Sequence, residues 1–373
     1  MTWPWYSEAC RAAVNQLLQT GGGLSAYRSS PQHSVGPRED SWVYRLEALA
    51  ETLTGIHHAV ACNSGTMALI AGLRALDLPR GSRIVTSPYT FSATVAAIIH
   101  AELQPMFGDV DPITYTLDPR VAPVGDCYMP VDLFGLRASR DFPGRVVADS
   151  CQAADPGFTL SPALWATWSF NGHKNVPAGE AGMLLTNRND LADRARLFIS
   201  HGENWREPRV GMNGRLNELT ACVAYYGLKE LGARNAERRR MASNLGQELL
   251  NRYDPRIIPL AEEHISNHAL YVYPFRVRHD VDRAAYVARL NGAGLTATEG
   301  YIRPPLHKYP AFERFQVGPL PIVEELSTQS LVLLPDLQPG YPVPMSAVAQ
   351  LMVEALDGTP SIQVAPGEDV TWV

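Results

Sequence analysis

The sequence predicts an α/β protein. A large domain with a mainly parallel mixed sheet flanked by helices is followed by a smaller α+β C-terminal domain. Three observations predict it. Short apolar runs alternate with segments whose apolar residues recur at helical spacing, the pattern of strands joined by crossover helices. Polar residues cluster at the C-terminal ends of those runs, where ligands of open α/β sheets bind. Beyond Tyr253 the alternation gives way to a different mixture of strand and helix. The division expected is residues 1–245, including an N-terminal segment 1–40, and residues 246–373. A length of 373 residues allows both parts a core of their own.

In order along the chain, residues 1–40 read as irregular, with Gly21-Gly22-Gly23, Pro31 and Pro37. The glycine run is not followed by Gly-Lys-Ser/Thr, so it is no Walker loop. A helix is expected from about Trp42 to Thr54, and a strand at Ala59–Cys62. Asn63-Ser64-Gly65-Thr66 then opens a helix with Met67, Ile70, Leu73 and Leu76 on one face. A strand, a small polar turn and a helix start place free N–H groups and the positive helix end at the sheet edge, although Ser or Thr there also serves as an ordinary N-cap. Strands follow at Ile84–Thr86, Pro105–Val110 and Cys127–Phe134, with a helix over Ser92–Ala101. Another helix spans Asp190–Ser200. A long one begins near Leu219, with a bend expected at Gly232, and ends at Arg252. Its run Glu237-Arg238-Arg239-Arg240 reads as a solvated face. The C-terminal part shows a strand at Leu270–Val277, a helix at Asp282–Ala293, an extended piece at Thr296–Ile302 and a helix at Met345–Leu356. The tail after Gly358 lacks helical period.

Composition excludes several classes. The net charge of −6 and the lack of a long basic block argue against nucleic acid or an anionic membrane surface as partner. No apolar run is long enough to cross a membrane, and Met1–Trp5 lacks the character of a signal peptide. The five cysteines are scattered, odd in number and without a CxxC, so neither a disulfide framework nor a metal site is expected. The expected location is the cytoplasm.

The chemistry is concentrated between Arg145 and Thr186. Asp149 ends one apolar run, Ser169 ends the next, and Lys174 follows five residues after Ser169. If these runs are neighbouring strands, an acid, a hydroxyl and an amine converge on one crevice. That set suits pyridoxal 5'-phosphate (PLP): the lysine forms the Schiff base, the acid pairs with the pyridinium nitrogen and the hydroxyl takes a phosphate oxygen. Taken singly, a lysine past a strand is a solvated surface group, and Asp149 is a turn residue. The pairing of the two favours function.

These motifs, in this order, resemble the DegT/DnrJ/StrS family of PLP-dependent aminotransferases over nearly the whole chain. The resemblance implies the fold-type-I PLP transferase fold. It also implies Gly65 and Thr66 in the phosphate turn and Phe91 stacking on the cofactor. Asp149 would lie at the pyridine nitrogen, Gln152 near the ring hydroxyl, Ser169 at the phosphate and Lys174 as the catalytic lysine. Asn213, in Gly211-Met212-Asn213-Gly214-Arg215, would reach the phosphate of a neighbouring subunit, which implies a homodimer with sites at its interface. Tyr301 and His307 resemble a late substrate-side segment, although His307 could equally cap its Pro-rich loop. Departures are Gly214 where the family often has an aromatic residue, Ala181 within Gly179-Glu180-Ala181-Gly182, and a longer N-terminal segment.

The implied activity is transfer of an amino group from glutamate or glutamine to a keto sugar, nucleotide-linked in most of the family, through pyridoxamine phosphate as intermediate. A keto-cyclitol or related cyclic ketone is an alternative acceptor. Two rival readings are a PLP sugar dehydratase, in which histidine replaces the lysine, and a non-catalytic PLP-fold regulator.

Overall fold

The computed structural model describes residues 6–20, 23–27, 36–202, 209–316 and 318–359. Gly21, Gly22, Pro31, Glu203, Asn204 and the tail from residue 360 lie outside the described residues. The chain order is α1 (Glu8–Gln19), α2 (Trp42–Thr54), β1 (His58–Cys62), α3 (Gly65–Ala75), β2 (Arg83–Thr86), α4 (Ser92–His100), β3 (Gln104–Phe107), β4 (Cys127–Tyr128), β5 (Ala148–Asp149), β6 (Trp165–Ser169), β7 (Gly182–Thr186), α5 (Asn189–Ile199) and α6 (Glu218–Arg252). Then come β8 (Ile257–Ile258), α7 (Glu262–Ile265), β9 (Tyr273–Val277), α8 (Arg283–Gly292), β10 (Thr298–Glu299), α9 (Pro321–Glu325), β11 (Leu331–Leu334) and α10 (Met345–Asp357).

The first seven strands form one mixed sheet. Two hydrogen-bonded groups, β3-β2-β4 and β5-β6-β7-β1, are joined by parallel bridges Tyr128↔Val146 and Val131↔Asp149. β7 is antiparallel to β6 and β1, while the β2–β3, β2–β4 and β5–β6 pairs are parallel. The carboxyl ends of β1, β5 and β6 therefore open on the same edge. Strand alternation separates two apolar layers. Ala59 and Ala61 join a core with α2 and α6, whereas Val60 and Cys62 face α3 and α5. Both faces are covered, as a mainly parallel sheet requires.

The C-terminal part is a four-stranded antiparallel sheet, β10-β11-β9-β8, with a core that includes α8 and α10. α6 carries the chain from one core to the other. Ala221, Ala224 and Leu228 pack in the first, and Met241, Leu245 and Leu249 in the second.

Several sequence-based expectations are corrected. Residues 1–40 are not irregular throughout, because α1 forms there. The Ser7 hydroxyl accepts a hydrogen bond from the Cys10 N–H, and Cys10 and Ala13 are buried. α6 runs unbroken through Gly232. The expected strand Cys127–Phe134 pairs only over Cys127–Tyr128 and then at Val131. Pro130 has no N–H for the ladder, and Leu133–Gly135 is a single tight turn with Phe134 at φ 59°. The strand expected from Leu270 begins at Tyr273, since Leu270 takes a φ of 48°. β3 stops at Phe107, short of Val110, and only Thr298–Glu299 of the Thr296–Ile302 segment is paired.

Candidate active site

Each polar residue at the sheet edge is set there by the strand or turn before it. β1 ends at Cys62, and Ser64 caps α3 by accepting from the Met67 N–H at 3.1 Å. The first N–H groups of α3 have no carbonyl partner within the helix and point out of the edge beside Gly65 and Thr66. The next contact explains Gly65. A Cβ there would lie 2.9 Å from Ser169 Cβ, so glycine lets the end of β6 close against the helix start. Gly182 is similar, since a Cβ would overlap the Ser64 backbone.

Asp149, at the end of β5, is 4 % exposed. Its Oδ1 accepts from the Cys151 N–H at 3.1 Å, and its Oδ2 accepts from the Thr94 hydroxyl at 2.6 Å. Thr94 and Thr90 lie one helical turn apart, with their hydroxyls 2.9 Å from each other. Both threonines escaped the sequence reading. The signal was there, two hydroxyls at i and i+4 beside a helix start. Their partner, however, comes from a strand distant in sequence.

Lys174 sits in the loop between β6 and β7. The Phe170 and Ala178 N–H groups bond across it to Ala181 and Phe170 carbonyls, and the Lys174 N–H closes a turn on the Asn171 carbonyl. The Lys174 amine stands 4.2 Å from the ring centroid of Tyr271. Burial holds its pKa below the usual lysine value, while the nearby Cys151 and Asp149 act in the opposite direction. Burial, reinforced by Asp149, pushes the Cys151 thiol well up, so it stays protonated. That agrees with its reading as a small residue and not a nucleophile.

These groups line one cavity of about 520 Å3. Gly65, Thr66, Phe91, Asp149, Gln152, Ser169, Lys174 and Tyr301 all border it. Phe91 is 54 % exposed, a flat apolar surface at the mouth. The Gln152 amide oxygen accepts from the Phe134 N–H at 2.7 Å, and its Nε2 donates to the Tyr301 hydroxyl at 3.0 Å. Gln152 thus positions Tyr301, whose own N–H donates to the Tyr89 hydroxyl. His173 is exposed on the rim.

Two expected residues do not border it. His307 is buried, with Nε2 3.3 Å from Glu324 Oε1, and burial lowers its pKa. Leu306–Lys308 is a tight turn that packs this ring inward beside Glu324. Asn213 is exposed, and its Oδ1 accepts from the Arg215 N–H at 3.4 Å. Tyr271, which the sequence reading passed over, is brought to the amine only by the folding of the C-terminal part onto the sheet.

Among the described residues no cluster of His, Cys, Asp and Glu could hold a metal ion, and no helix is long and apolar enough to cross a membrane.

Comparison with known proteins agrees with this arrangement. The model of the DegT/DnrJ/EryC1/StrS aminotransferase family matches residues 28–142 and 145–339. The chain is 29 % identical over 317 residues to the UDP-N-acetyl-3-dehydro-alpha-D-glucosamine 3-aminotransferase of Acidithiobacillus ferrooxidans, covering 79 % of this chain and 84 % of that protein. It is 27 % identical over 339 residues to a pleiotropic regulatory protein of Geobacillus stearothermophilus, covering 84 % and 88 %. Its fold matches that of NtdA from Bacillus subtilis, solved with bound pyridoxamine phosphate. The TM-score is 0.80 at 24 % identity, over 95 % of this chain and 83 % of that one.

Proposed function

The chain belongs to the DegT/DnrJ/EryC1/StrS aminotransferase family of PLP-dependent transaminases, and we propose that it moves an amino group from glutamate or glutamine to a nucleotide-linked keto sugar. The observation that carries this reading is one cavity holding a buried acid, a hydroxyl at a helix start and a partly buried lysine amine. A relative named as acting on a UDP-linked keto sugar supports the acceptor.

The residues suit the cofactor. Closeness of Gly65 to Ser169 leaves a cradle at the positive end of α3, fitted to a phosphate. When bound, PLP supplies an electron sink conjugated to the substrate's amino nitrogen. The protein's own contributions follow. Asp149, which accepts from the Thr94 hydroxyl and the Cys151 N–H, would pair with the pyridine nitrogen and hold its proton there. Ser169, Thr66 and the N–H groups at Gly65 would bind the phosphate, and Phe91 would pack on the cofactor ring. Lys174 would hold the cofactor through its amine and would carry the proton taken from the substrate carbon. Burial lowers its pKa, which favours the free amine that accepts that proton. Tyr301, fixed by Gln152, faces the substrate. Two copies pair, and Asn213 of one reaches the phosphate held by the other.

The test is the absorption spectrum of the purified protein before and after adding glutamate or glutamine. The expected result is a visible band that the donor bleaches and that Lys174→Ala lacks. Multiple turnovers by Lys174→Ala, or no band after PLP is supplied, would refute the lysine assignment. Product mass tests the acceptor reaction: gain of an amine is expected, and loss of water would favour the dehydratase. The exposed His173 beside an intact Lys174 gives the dehydratase no support.

A further inference from the structure

A chain of hydrogen-bonded side chains outside the cavity, all buried except the half-buried Gln338, grips both flanks of Lys174. Arg238, midway along α6, is 2 % exposed. Its Nε donates to Gln338 Oε1 at 2.9 Å and its Nη1 to Asn235 Oδ1 at 3.0 Å. The same Asn235 oxygen accepts from Asn175 Nδ2 at 3.2 Å, and Asn175 is the residue after Lys174. Asn175 Nδ2 also donates to the Ala269 carbonyl at 2.7 Å. On the other branch, Gln338 Nε2 donates to the Tyr271 carbonyl at 3.1 Å. Tyr271 is the ring against which the Lys174 amine lies.

Among the described residues no carboxylate lies within ion-pair distance of Arg238. A guanidinium buried on two neutral amide oxygens is an unfavourable way to fill a core position, and an apolar side chain would fill it more stably. What an apolar side chain lacks is the rigid fork, which holds two acceptors on different elements at a set separation. Here one acceptor belongs to α6 and the other follows β11.

We propose that Arg238 is a positioning residue for Lys174: through Asn235 and Gln338 it locks the lysine's own loop and the Tyr271 segment into one unit. The lock keeps the amine packed against the Tyr271 ring and away from water. Besides Tyr271, which the lock holds, Asp149, Cys151, His173, Glu180 and Tyr301 are the titratable groups bordering this amine's cavity, and none of these five belongs to the lock. The proposal rests on Lys174 being the lysine that engages the cofactor.

The chain has three lysines, Lys174, Lys229 and Lys308, so each can be followed separately. Full-length protein freed of cofactor would be acetylated competitively across a pH series and the three sites quantified by mass spectrometry. Arg238→Met is expected to raise the apparent pKa of Lys174 by about one pH unit, a tenfold loss of free amine at neutral pH, as the amine regains water. Lys229 and Lys308 stay put. Arg238→Lys does not rescue, because one ammonium cannot span both amides. Tyr271→Ala gives a similar shift, and the double variant adds nothing further. Arg196→Met, which breaks the buried contact with Glu47 elsewhere, lowers the melting temperature without moving Lys174. Should Arg238→Met not fold, Gln338→Leu at a partly exposed position cuts the Tyr271 branch alone and is expected to give the same direction. An unmoved Lys174 in folded Arg238→Met, or in Gln338→Leu where the first does not fold, overturns the proposal. So does an equal shift in Arg196→Met. Because labelling needs no turnover, its failure is distinct from failure of the spectral test on Lys174→Ala.

Discussion

Thr94 shows at one residue how a buried carboxylate is supplied with a donor. Its hydroxyl gives Asp149 a short hydrogen bond, and the Thr90 hydroxyl lies against it in turn. A hydrogen bond to a charged group contributes about 1.5–3 kcal/mol, and its loss leaves a buried oxygen short of a donor. Thr94→Val is therefore expected to weaken PLP binding about 10- to 100-fold, read by titrating the cofactor-free protein with PLP. An unchanged affinity would show that Asp149 is held by Cys151 N–H alone. His268 supplies a second prediction. It is buried, its Nδ1 accepts from the Leu270 N–H, and burial lowers its pKa to about 3 from 6.5. Between those values the unfolded chain binds a proton that the folded chain refuses. His268 thus leaves stability intact above about pH 6.5 and subtracts from it progressively as pH falls toward 3, by about 4 kcal/mol at the limit. Urea midpoints measured from pH 7 to 4 should fall less steeply in His268→Gln than in the parent chain.

At the scale of the element, the start of α3 shows two effects in opposition. Alanine at Gly65 would favour the helix by about 1 kcal/mol on propensity. Its Cβ would also press on Ser169 Cβ at 2.9 Å, with both atoms anchored to backbone. Overpacking of this kind costs about 1–3 kcal/mol, so the contact wins. Gly65→Ala should lower the melting temperature and weaken binding of the phosphate end of the cofactor. A variant as stable as the parent with unchanged PLP affinity would remove Gly65 from the cradle. The lysine loop is a second instance. It is a hairpin connection between β6 and β7, and Val176 within it packs under Gly227 of α6. Its shape thus depends on a helix that begins more than forty residues later.

For the whole molecule, α6 is the structural link. Leu228 in the first core and Leu245 in the second are both fully buried on one continuous helix. Leu→Ala at either site should cost about 2–5 kcal/mol. Because the helix is shared, calorimetry of either variant should show one transition moved to lower temperature. Two separated transitions would mean that the cores unfold independently. The pairing of two copies belongs to this scale also. If Asn213 serves the partner's cavity, a mixture of Lys174→Ala and Asn213→Ala chains, each impaired alone, should regain activity through hybrid dimers holding one intact site. No recovery on mixing would place Asn213 outside the partner's site.

Most of the layered architecture was legible in the sequence because it depends on local pattern. Ala59–Cys62 alternates toward two cores, α2, α4, α5 and α10 keep helical period, and Asp149 and Ser169 end apolar runs. Lys174 was legible for the same reason, since its spacing from Ser169 is set within one hairpin. Thr94 on Asp149 and Tyr271 on Lys174 went unread, and Arg238, expected on a solvated face, is instead buried behind both flanks of the lysine; all three depend on contacts between elements far apart in the chain. α1 was missed because its apolar stripe is short and closes on α6. The burial of His307 could not be read, because a proline-rich segment carries no period from which to tell inside from outside. Sequence alone determined which groups end at the sheet edge, through strand alternation and chain order. Only the tertiary structure decided which of them touch, because hydrogen bonds and ring contacts form between side chains whose separation along the chain imposes no geometry until the two cores pack around α6.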